Sequence, residues 1–492
     1  MSVLPNLDVY EDARQSRDAR FDGRFFIGVL TTGIYCRPVC PVRVPKRENV
    51  QLHRTAASAA EAGFRPCLRC RPESSPGTPA WIGASYKVSR TLQLIAKGSL
   101  DEGSVKALAQ QVSVGPRQLT RLFQKHVGAS PVAVAQTQRL HFAKKLIDET
   151  QLPLAEVCFA SGFGSVRRFN AVFQRVYDRS PKQLRSRQNK KIACNNEAIQ
   201  IKLSYRPPFN WKAMLAFLAY RAIPGVEYVT DNSYARTIEL DGKVGDFQAC
   251  FNGGSNCLDV RISFPDTRQL YRIVERIRLL FDLKADSVEI DQFYARDKLL
   301  SAVVKREPGM RVPGCWDGFE VAVRAILGQQ VTVKAASTLV ARITSRHGER
   351  HRGTLPELTH CFPGAPVLAK ADLDGLGIVG QRVLAIKSVA QLLVNREIAF
   401  DGVMETNDFV KKICQVKGIG QWTAQYIALR ALNDPNAFPY SDLILRRAAA
   451  GKGATLTPKQ LLLRADAWQP WRAYAVILLW MHYALTMKEQ VE

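Results

Sequence analysis

Val416–Leu432, VKGIGQWTAQYIALRAL, sets Gly418 and Gly420 between two stretches of helical apolar spacing. Glycine tolerates backbone angles closed to other residues, so this turn is tight and its N–H groups can approach a phosphate without a side chain in the way. About twenty residues on, AFPYSDLILRR (437–447) carries Asp442 as its only carboxylate, at a position that reads as the start of a helix. A glycine hairpin alone predicts only close contact with a phosphate. A carboxylate delivered beside it is of no use to a clamp on a polyanion and points to chemistry.

Working outward, the pattern beyond roughly 285 is almost wholly helical, punctuated at REPGMRVPG (306–314) and LDGLGIVG (373–380). Before it, IQIKLSY (199–205), ARTIEL (235–240) and CLDVRISF (257–264) alternate with strand period, interrupted by the helical run WKAMLAFLAYRA (211–222). This predicts a small sheet with helices. The polar stretch SRQNKKIACNNEA (186–198) and the Pro/Ser/Gly-rich RPESSPGTPAWIG (71–83) read as linkers.

Between those linkers lies an internal repeat. GPRQLTRLFQKHVGASP (115–131) superposes on SVRRFNAVFQRVYDRSP (165–181), matching Arg117 with Arg167, Phe123 with Phe173 and Gln124 with Gln174. Leu119, Leu122 and Phe123, like Phe169, Val172 and Phe173, share an inward face and leave the basic residues outward. Each unit can therefore lay a helix in a major groove. The candidate readers are Arg117, Gln118 and Arg121 in the first unit, and Arg167, Arg168 and Asn170 in the second. Residues 104–192 hold 16 Lys/Arg against 4 Asp/Glu, a net +12.

Near the start, Cys36 and Cys40, then Cys67 and Cys70 after 26 intervening residues, form two chelating pairs. Four thiolates suit a tetrahedral, sulfur-preferring ion, and zinc is the expected occupant. With four thiolates on one dication the site carries about −2, so its sulfurs are electron-rich. On spacing alone, a purely structural ribbon and a reactive centre both fit. The other cysteines, Cys158, Cys194, Cys250, Cys257, Cys315, Cys361 and Cys414, lack ligand spacing and read mostly as core thiols.

The whole chain of 492 residues has 69 Lys+Arg against 44 Asp+Glu, a net charge of +25, which favours nucleic acid as partner. Nothing in MSVLPNLDVYEDARQSRDAR resembles an export signal, and the apolar run near Tyr474–Leu485 is too short to span a bilayer. A cytoplasmic protein with no membrane partner is expected.

The wording around these motifs adds family resemblance. FDGRFFIGVLTTGIYCRPVCPVRVPKRENV and AGFRPCLRCRPE, within 21–73, closely resemble the metal-binding domain of the Ada adaptive-response proteins. That resemblance implies that Cys36 accepts a methyl group from a DNA methylphosphotriester, with Cys40, Cys67 and Cys70 as the other zinc ligands. It also implies a DNA-contacting Arg43, while Pro41 departs from a basic residue of the family; the neighbouring Arg37, Lys46 and Arg47 fit either phosphate partners or solvated surface charges. The repeat, with FASGFGSVRRFNAVFQ, resembles the AraC-type DNA-binding domain. The hairpin with its aspartate resembles the helix-hairpin-helix DNA glycosylases. Within these, SYRPPFNWKAMLAFLAYRAI, YARTIEL, RVPGCWDGFEVAVRAILGQQV, GIGQWTAQYIALRA and WQPWRAYAVILLW look like the AlkA type of 3-methyladenine DNA glycosylase. This implies Asp442 as catalytic carboxylate, Trp480 stacking on a flipped base, and Trp422 and Tyr426 lining the pocket. Gln330 stands where the family has an apolar wedge, and Lys417 where it has proline. Trp422 occupies the place of the lysine of bifunctional lyases, which implies a monofunctional enzyme. No PCHR motif, the mark of an O6-methylguanine methyltransferase, is present.

The expected fold is mainly α with smaller α+β parts. Its expected domains are a zinc-binding methyl-acceptor domain (1–72), an AraC-type double helix-turn-helix (86–190), an AlkA-like α+β subdomain (199–300) and a helix-hairpin-helix glycosylase domain (301–488). The expected function is excision of alkylated purines such as 3-methyladenine, coupled to transcriptional activation through Cys36. The expected partners are double-stranded DNA and RNA polymerase, and the chain is expected to be a monomer. A transcription regulator whose C-terminal half is only a nonspecific clamp is the competing reading.

Overall fold

The computed structural model describes residues 7–76, 86–96, 98–100, 103–186, 198–400, 404–451 and 454–489. Cys194 and most of both linker stretches lie outside the described residues. The chain divides into two compact units, residues 1–207, 252–278 and 283–285 in one, and 208–251, 279–282 and 286–492 in the other.

The first unit begins with a four-stranded sheet in the order Val50–His53, Phe26–Val29, Ile34–Cys36, Arg65–Pro66. Its last two strands are parallel, with Ile34 opposite Arg65 and Tyr35 opposite Pro66. The helix Ala56–Glu61 packs on this sheet, capped by Thr55, whose side chain accepts from the Ser58 amide. Among the described residues seven α-helices follow, and they include both halves of the repeat, Pro116–His126 and Val166–Tyr177. Pro116 opens the first without needing a backbone donor, while Ser165 caps the second by accepting from the Arg168 amide. Leu119, Phe123, Phe169 and Phe173 are buried, as the shared inward face predicts, while Leu122 and Val172 are half-buried. Removing each phenyl ring from water contributes roughly 2–3 kcal/mol, which fixes the inner face of each helix. The strands Ile199–Ser204 and Cys257–Ser263 pair antiparallel in the same unit.

In the second unit Glu227–Val229, Ser233–Leu240 and Lys243–Asn252 form an antiparallel meander. The last turn is Asp241-Gly242, both residues at positive φ, the backbone that a two-residue hairpin requires. The other named elements of this unit, among the described residues, are helices joined by loops. The helix Arg472–Glu489 absorbs the apolar run near the C-terminus, burying Ala473 through Leu479. No helix among the described residues is long and apolar enough to cross a membrane. The expectation of a mainly α fold with smaller α+β parts is met.

Candidate functional site

The parallel strand pair delivers two cysteines to one place. Cys36 ends one strand and Cys67 follows the other, its amide bonded to the Tyr35 carbonyl at 3.0 Å. Cys40 and Cys70 complete the group, and the four Sγ atoms all lie within 4.8 Å of one another. Each cysteine is 6–8% exposed, so burial does not distinguish them. Thiols this close compete for protons: hydrogen bonds from Cys36, Cys40 and Cys70 pull Cys67 far down, while those from its neighbours hold Cys70 up. A dication removes that competition by letting all four ionise. An all-sulfur, buried, mutually close donor set fits Zn²⁺. Among the described residues no other cluster of metal-ligating side chains forms.

Arg37 proves to belong to this site. Its guanidinium pairs with Asp22 and donates to the Cys70 carbonyl at 3.0 Å, while its amide points at Cys70 Sγ at 3.4 Å. It is therefore a clasp on the ligand loop, held by Asp22 and Cys70 rather than standing as a solvated surface charge. Arg43 is exposed, and Arg47 and Lys46 lie in surface ion pairs with Asp8 and Glu48. Arg117, Gln118 and Arg121, and likewise Arg167, Arg168 and Asn170, are all exposed on their helices. Of the remaining cysteines, Cys158, Cys257 and Cys361 are buried, while Cys250, Cys315 and Cys414 are half-buried.

In the second unit the helices Thr406–Ile413 and Gln421–Ala431 flank the hairpin. Gly418 sits at φ +93°, a conformation that excludes side-chain-bearing residues at low cost, and Gly420 caps the second helix with no side chain in the way. Trp422, Tyr426 and Arg430 then follow at intervals of four on one face. Trp422 stacks on Tyr426 with ring centroids 5.5 Å apart and planes at 14°. The Trp422 indole N–H donates to Asp442 Oδ2 at 2.8 Å.

Asp442 is the N-cap of the helix Leu443–Ala450, its other oxygen accepting from the Leu445 amide at 2.9 Å. Both oxygens are thus held by donors, and the positive end of the helix favours a carboxylate there. A cavity of about 720 Å³ opens beside it, lined among others by Trp422, Tyr426, Asp442, Trp480 and Phe217. Trp480 faces Phe217 (6.3 Å, 23°) and Tyr426 (6.4 Å, 49°). The cavity so formed is an aromatic slot with one carboxylate at its edge.

Sequence reading missed Phe217 and Arg221. The Arg221 guanidinium lies 3.8 Å from the Phe217 ring centroid, and burial lowers its pKa. Burial pushes the Tyr426 phenol up, but neighbouring Arg430 and Arg221 more than offset this and its pKa falls. Arg221 is fixed from behind: its carbonyl accepts from Arg324 at 2.7 Å. Arg324 in turn pairs with Glu227 and Glu320, and Arg236 with Glu320. The only signal for Phe217 was its place one helical turn before Arg221 in WKAMLAFLAYRA.

Gln330 does not line the cavity. It is exposed at φ +55° in the turn after the helix Gly318–Leu327, between the cavity-lining Gly328 and Val331. The preceding Gln329 donates to the Gly418 carbonyl at 2.8 Å and to Thr423 Oγ1 at 2.9 Å, so this turn and the hairpin share one edge of the site.

Compared with known proteins, the chain is 40% identical over 471 residues to the "Probable bifunctional transcriptional activator/DNA repair enzyme AlkA" of Mycobacterium tuberculosis, covering 95% of each chain. The chain belongs to this bifunctional Ada/AlkA family. Residues 10–73 match the metal binding domain of Ada, 108–187 a helix-turn-helix domain and 200–317 the AlkA N-terminal domain. An Ada-type front is therefore fused to an AlkA-like rear. That rear is 33% identical over 284 residues to the DNA-3-methyladenine glycosylase 2 of Escherichia coli, covering 56% of this chain and 95% of the relative. The solved 3-methyladenine DNA-glycosylase of Archaeoglobus fulgidus shares the fold, with a TM-score of 0.52 at 22% identity, over 57% of this chain and 98% of that one. The zinc centre of the Ada/AlkA family is thus the four-cysteine site described above.

Proposed function

We propose that the chain excises alkylated purines such as 3-methyladenine from double-stranded DNA, and that methylation of Cys36 switches it into a sequence-specific transcriptional activator. The observation that carries the first part is Asp442, oriented by Trp422 and its own helix at the mouth of an aromatic slot. A base alkylated at N3 or N7 is cationic, so its bond to C1′ is already weak. Trp480, Trp422 and Tyr426 receive the base once it is rotated out of the duplex, favouring the cation by π stacking. The C1′–N bond breaks with its electron pair going to the base. Asp442 stabilises the sugar cation, a water adds at C1′ and loses a proton, and an abasic site remains. With Trp422 where a lyase would place its lysine, the enzyme is monofunctional. Gln330 fills the gap left by the rotated base, and the hairpin at Gly418 and Gly420 holds the adjacent phosphate.

The second part rests on the resemblance of the Cys36 region to the Ada domain. Held by Cys36, Cys40, Cys67 and Cys70, zinc would supply the positive charge that keeps the Cys36 sulfur ionised. The Cys36 sulfur attacks the methyl carbon of a methylphosphotriester, the S–C bond forms, and the C–O bond breaks with its electrons returning to the phosphate. The transfer is single-turnover, because the thioether has no route back. Neutralising one thiolate reduces repulsion of the DNA backbone. Arg43, Arg117, Gln118, Arg121, Arg167 and Arg168 then hold the promoter and RNA polymerase is engaged. The functional parts are 1–72, 86–190, 199–300 and 301–488, acting as a monomer on DNA in the cytoplasm. The deciding experiment is Asp442→Asn, which should abolish release of 3-methyladenine while duplex binding persists; unchanged release would refute the assignment. For the switch, peptide mass spectrometry after exposure to methylphosphotriester DNA should find one methyl, on Cys36.

A further inference from the structure

The residues next to two zinc ligands both reach the same helix. Tyr35, just before Cys36, is buried, and its hydroxyl lies 2.7 Å from His141 Nε2. Arg71, just after Cys70, pairs with Asp148 at 3.0 Å and with Glu149 at 3.2 Å. His141, Asp148 and Glu149 belong to the helix Pro131–Glu149, which lies between the two halves of the DNA-reading repeat. His141, Lys144, Lys145 and Asp148 fall at i, i+3, i+4 and i+7, so one helix face meets both flanks of the cysteine site. Lys144 pairs with Glu73 at 3.6 Å and with Asp148, and Lys145 with Glu149 at 3.0 Å, so the charges on that face are paired. Burial, aided by Lys144, brings the His141 pKa down to about 4, which keeps the ring neutral and able to accept from the Tyr35 hydroxyl.

The other end of the helix is linked through Glu61 to the reading helix. Its N-cap Ser130 donates through its amide (3.1 Å) and hydroxyl (2.7 Å) to Glu61 Oε1. Glu61 Oε2 accepts from Gln124 at 3.2 Å, and Gln124 lies on the helix that presents Arg117, Gln118 and Arg121. Thr55, at the start of the same short helix as Glu61, donates to the Val127 carbonyl at 3.1 Å.

The geometry points to the helix Pro131–Glu149 as the element through which the cysteine site and the DNA-reading repeat sense each other, with Tyr35 and His141 as positioning residues for the ligand strand. A group that orients a metal ligand through a neighbouring residue alters the ligand field without touching the metal. Coupling of this kind is reciprocal: whatever the state of the site does to DNA affinity, bound DNA does to the site. The inference rests on the reading of Cys36 as a functional thiolate, but it can fail independently of it.

The full chain loaded with Co²⁺ in place of zinc gives thiolate charge-transfer and d–d bands that report the geometry of the four sulfurs. Undamaged double-stranded DNA of mixed sequence is then added. The wild-type bands shift. Tyr35→Phe and His141→Leu still take up cobalt and bind the duplex but lose the shift, and His141→Gln, which keeps a polar partner for the hydroxyl, regains it. A wild-type spectrum that ignores DNA, or a shift that survives in Tyr35→Phe, overturns the coupling. If His141→Leu fails to fold, Tyr35→Phe, which removes one oxygen, still decides. Absence of a methyl on Cys36 after exposure to methylphosphotriester DNA, with the shift intact, would refute the acceptor reading and leave the coupling standing.

Discussion

The Trp422 indole N–H donates to the Asp442 carboxylate at 2.8 Å while its ring stacks on Tyr426, so one side chain both walls the cavity and aims the acid. Trp422→Phe separates the two roles, keeping a ring and losing the donor. A hydrogen bond to a charged group is worth about 1.5–3 kcal/mol, so the rate of base release should fall roughly 10- to 100-fold. Duplex affinity should change little. Single-turnover release of 3-methyladenine beside a binding titration would separate the two quantities, and an unchanged rate would mean that the indole only packs.

The hairpin makes a paired prediction. Gly418 is at φ +93°, so Gly418→Ala forces a side-chain-bearing residue into left-handed backbone at about 1–2 kcal/mol, read as a lower denaturation midpoint. Lys417 beside it is exposed, and Lys417→Ala should leave stability within about 0.5 kcal/mol. If the lysine neutralises one phosphate, the slope of log affinity against log salt becomes shallower by about 0.9. An unchanged slope would place Lys417 away from the DNA.

These residues also show what a sequence makes legible. Motifs set by local spacing could be read directly: the pairing of Cys36–Cys40 with Cys67–Cys70, the Phe123 and Phe173 repeat, and Asp442 at a helix start. Features that depend on distant chain segments meeting could not. Phe217 faces Trp480 across more than half the rear of the chain, and Glu227, Arg236, Glu320 and Arg324 carry no spacing that announces their pairing in the fold. The role of Arg37 stayed open because a basic residue beside a cysteine site looks the same in sequence whether it turns toward DNA or toward Asp22. The strand Lys243–Asn252 escaped notice because Asp246, paired with His351 at 3.0 Å, puts a charge on what would otherwise read as a buried position.

Chelation of the metal should act on one unit and spare the chemistry of the other. Without a cation the four thiols, all within 4.8 Å, cannot ionise together, and the short strands Ile34–Cys36 and Arg65–Pro66 lose what pins their ends. Amide exchange in those strands should rise sharply after chelator treatment. Base release should persist, because Asp442, Trp422, Tyr426 and Trp480 all belong to the second unit. Parallel loss of release would show that the zinc site supports the excision chemistry after all.

Acid–base behaviour gives the last prediction. Asp282 accepts from the Tyr474 hydroxyl at 2.7 Å, and burial pushes its pKa up from 3.8 to about 6, with Arg311 opposing. A carboxyl raised on folding holds its proton in the native state where the unfolded chain has lost it. Between pH 4 and 6 the native state therefore binds more protons, and stability falls as pH rises through that window. Above about 6 the carboxylate is charged in both states, and the penalty of burying that charge remains in full. Asp282→Asn keeps an acceptor for Tyr474 and removes the titration. Relative to wild type, the variant should gain stability as pH rises from 4 to 7 and hold that gain above. Denaturation midpoints of both proteins across this range test the sign: a difference that is flat with pH, or that shrinks, would mean that Asp282 is already ionised at pH 4 in the folded protein.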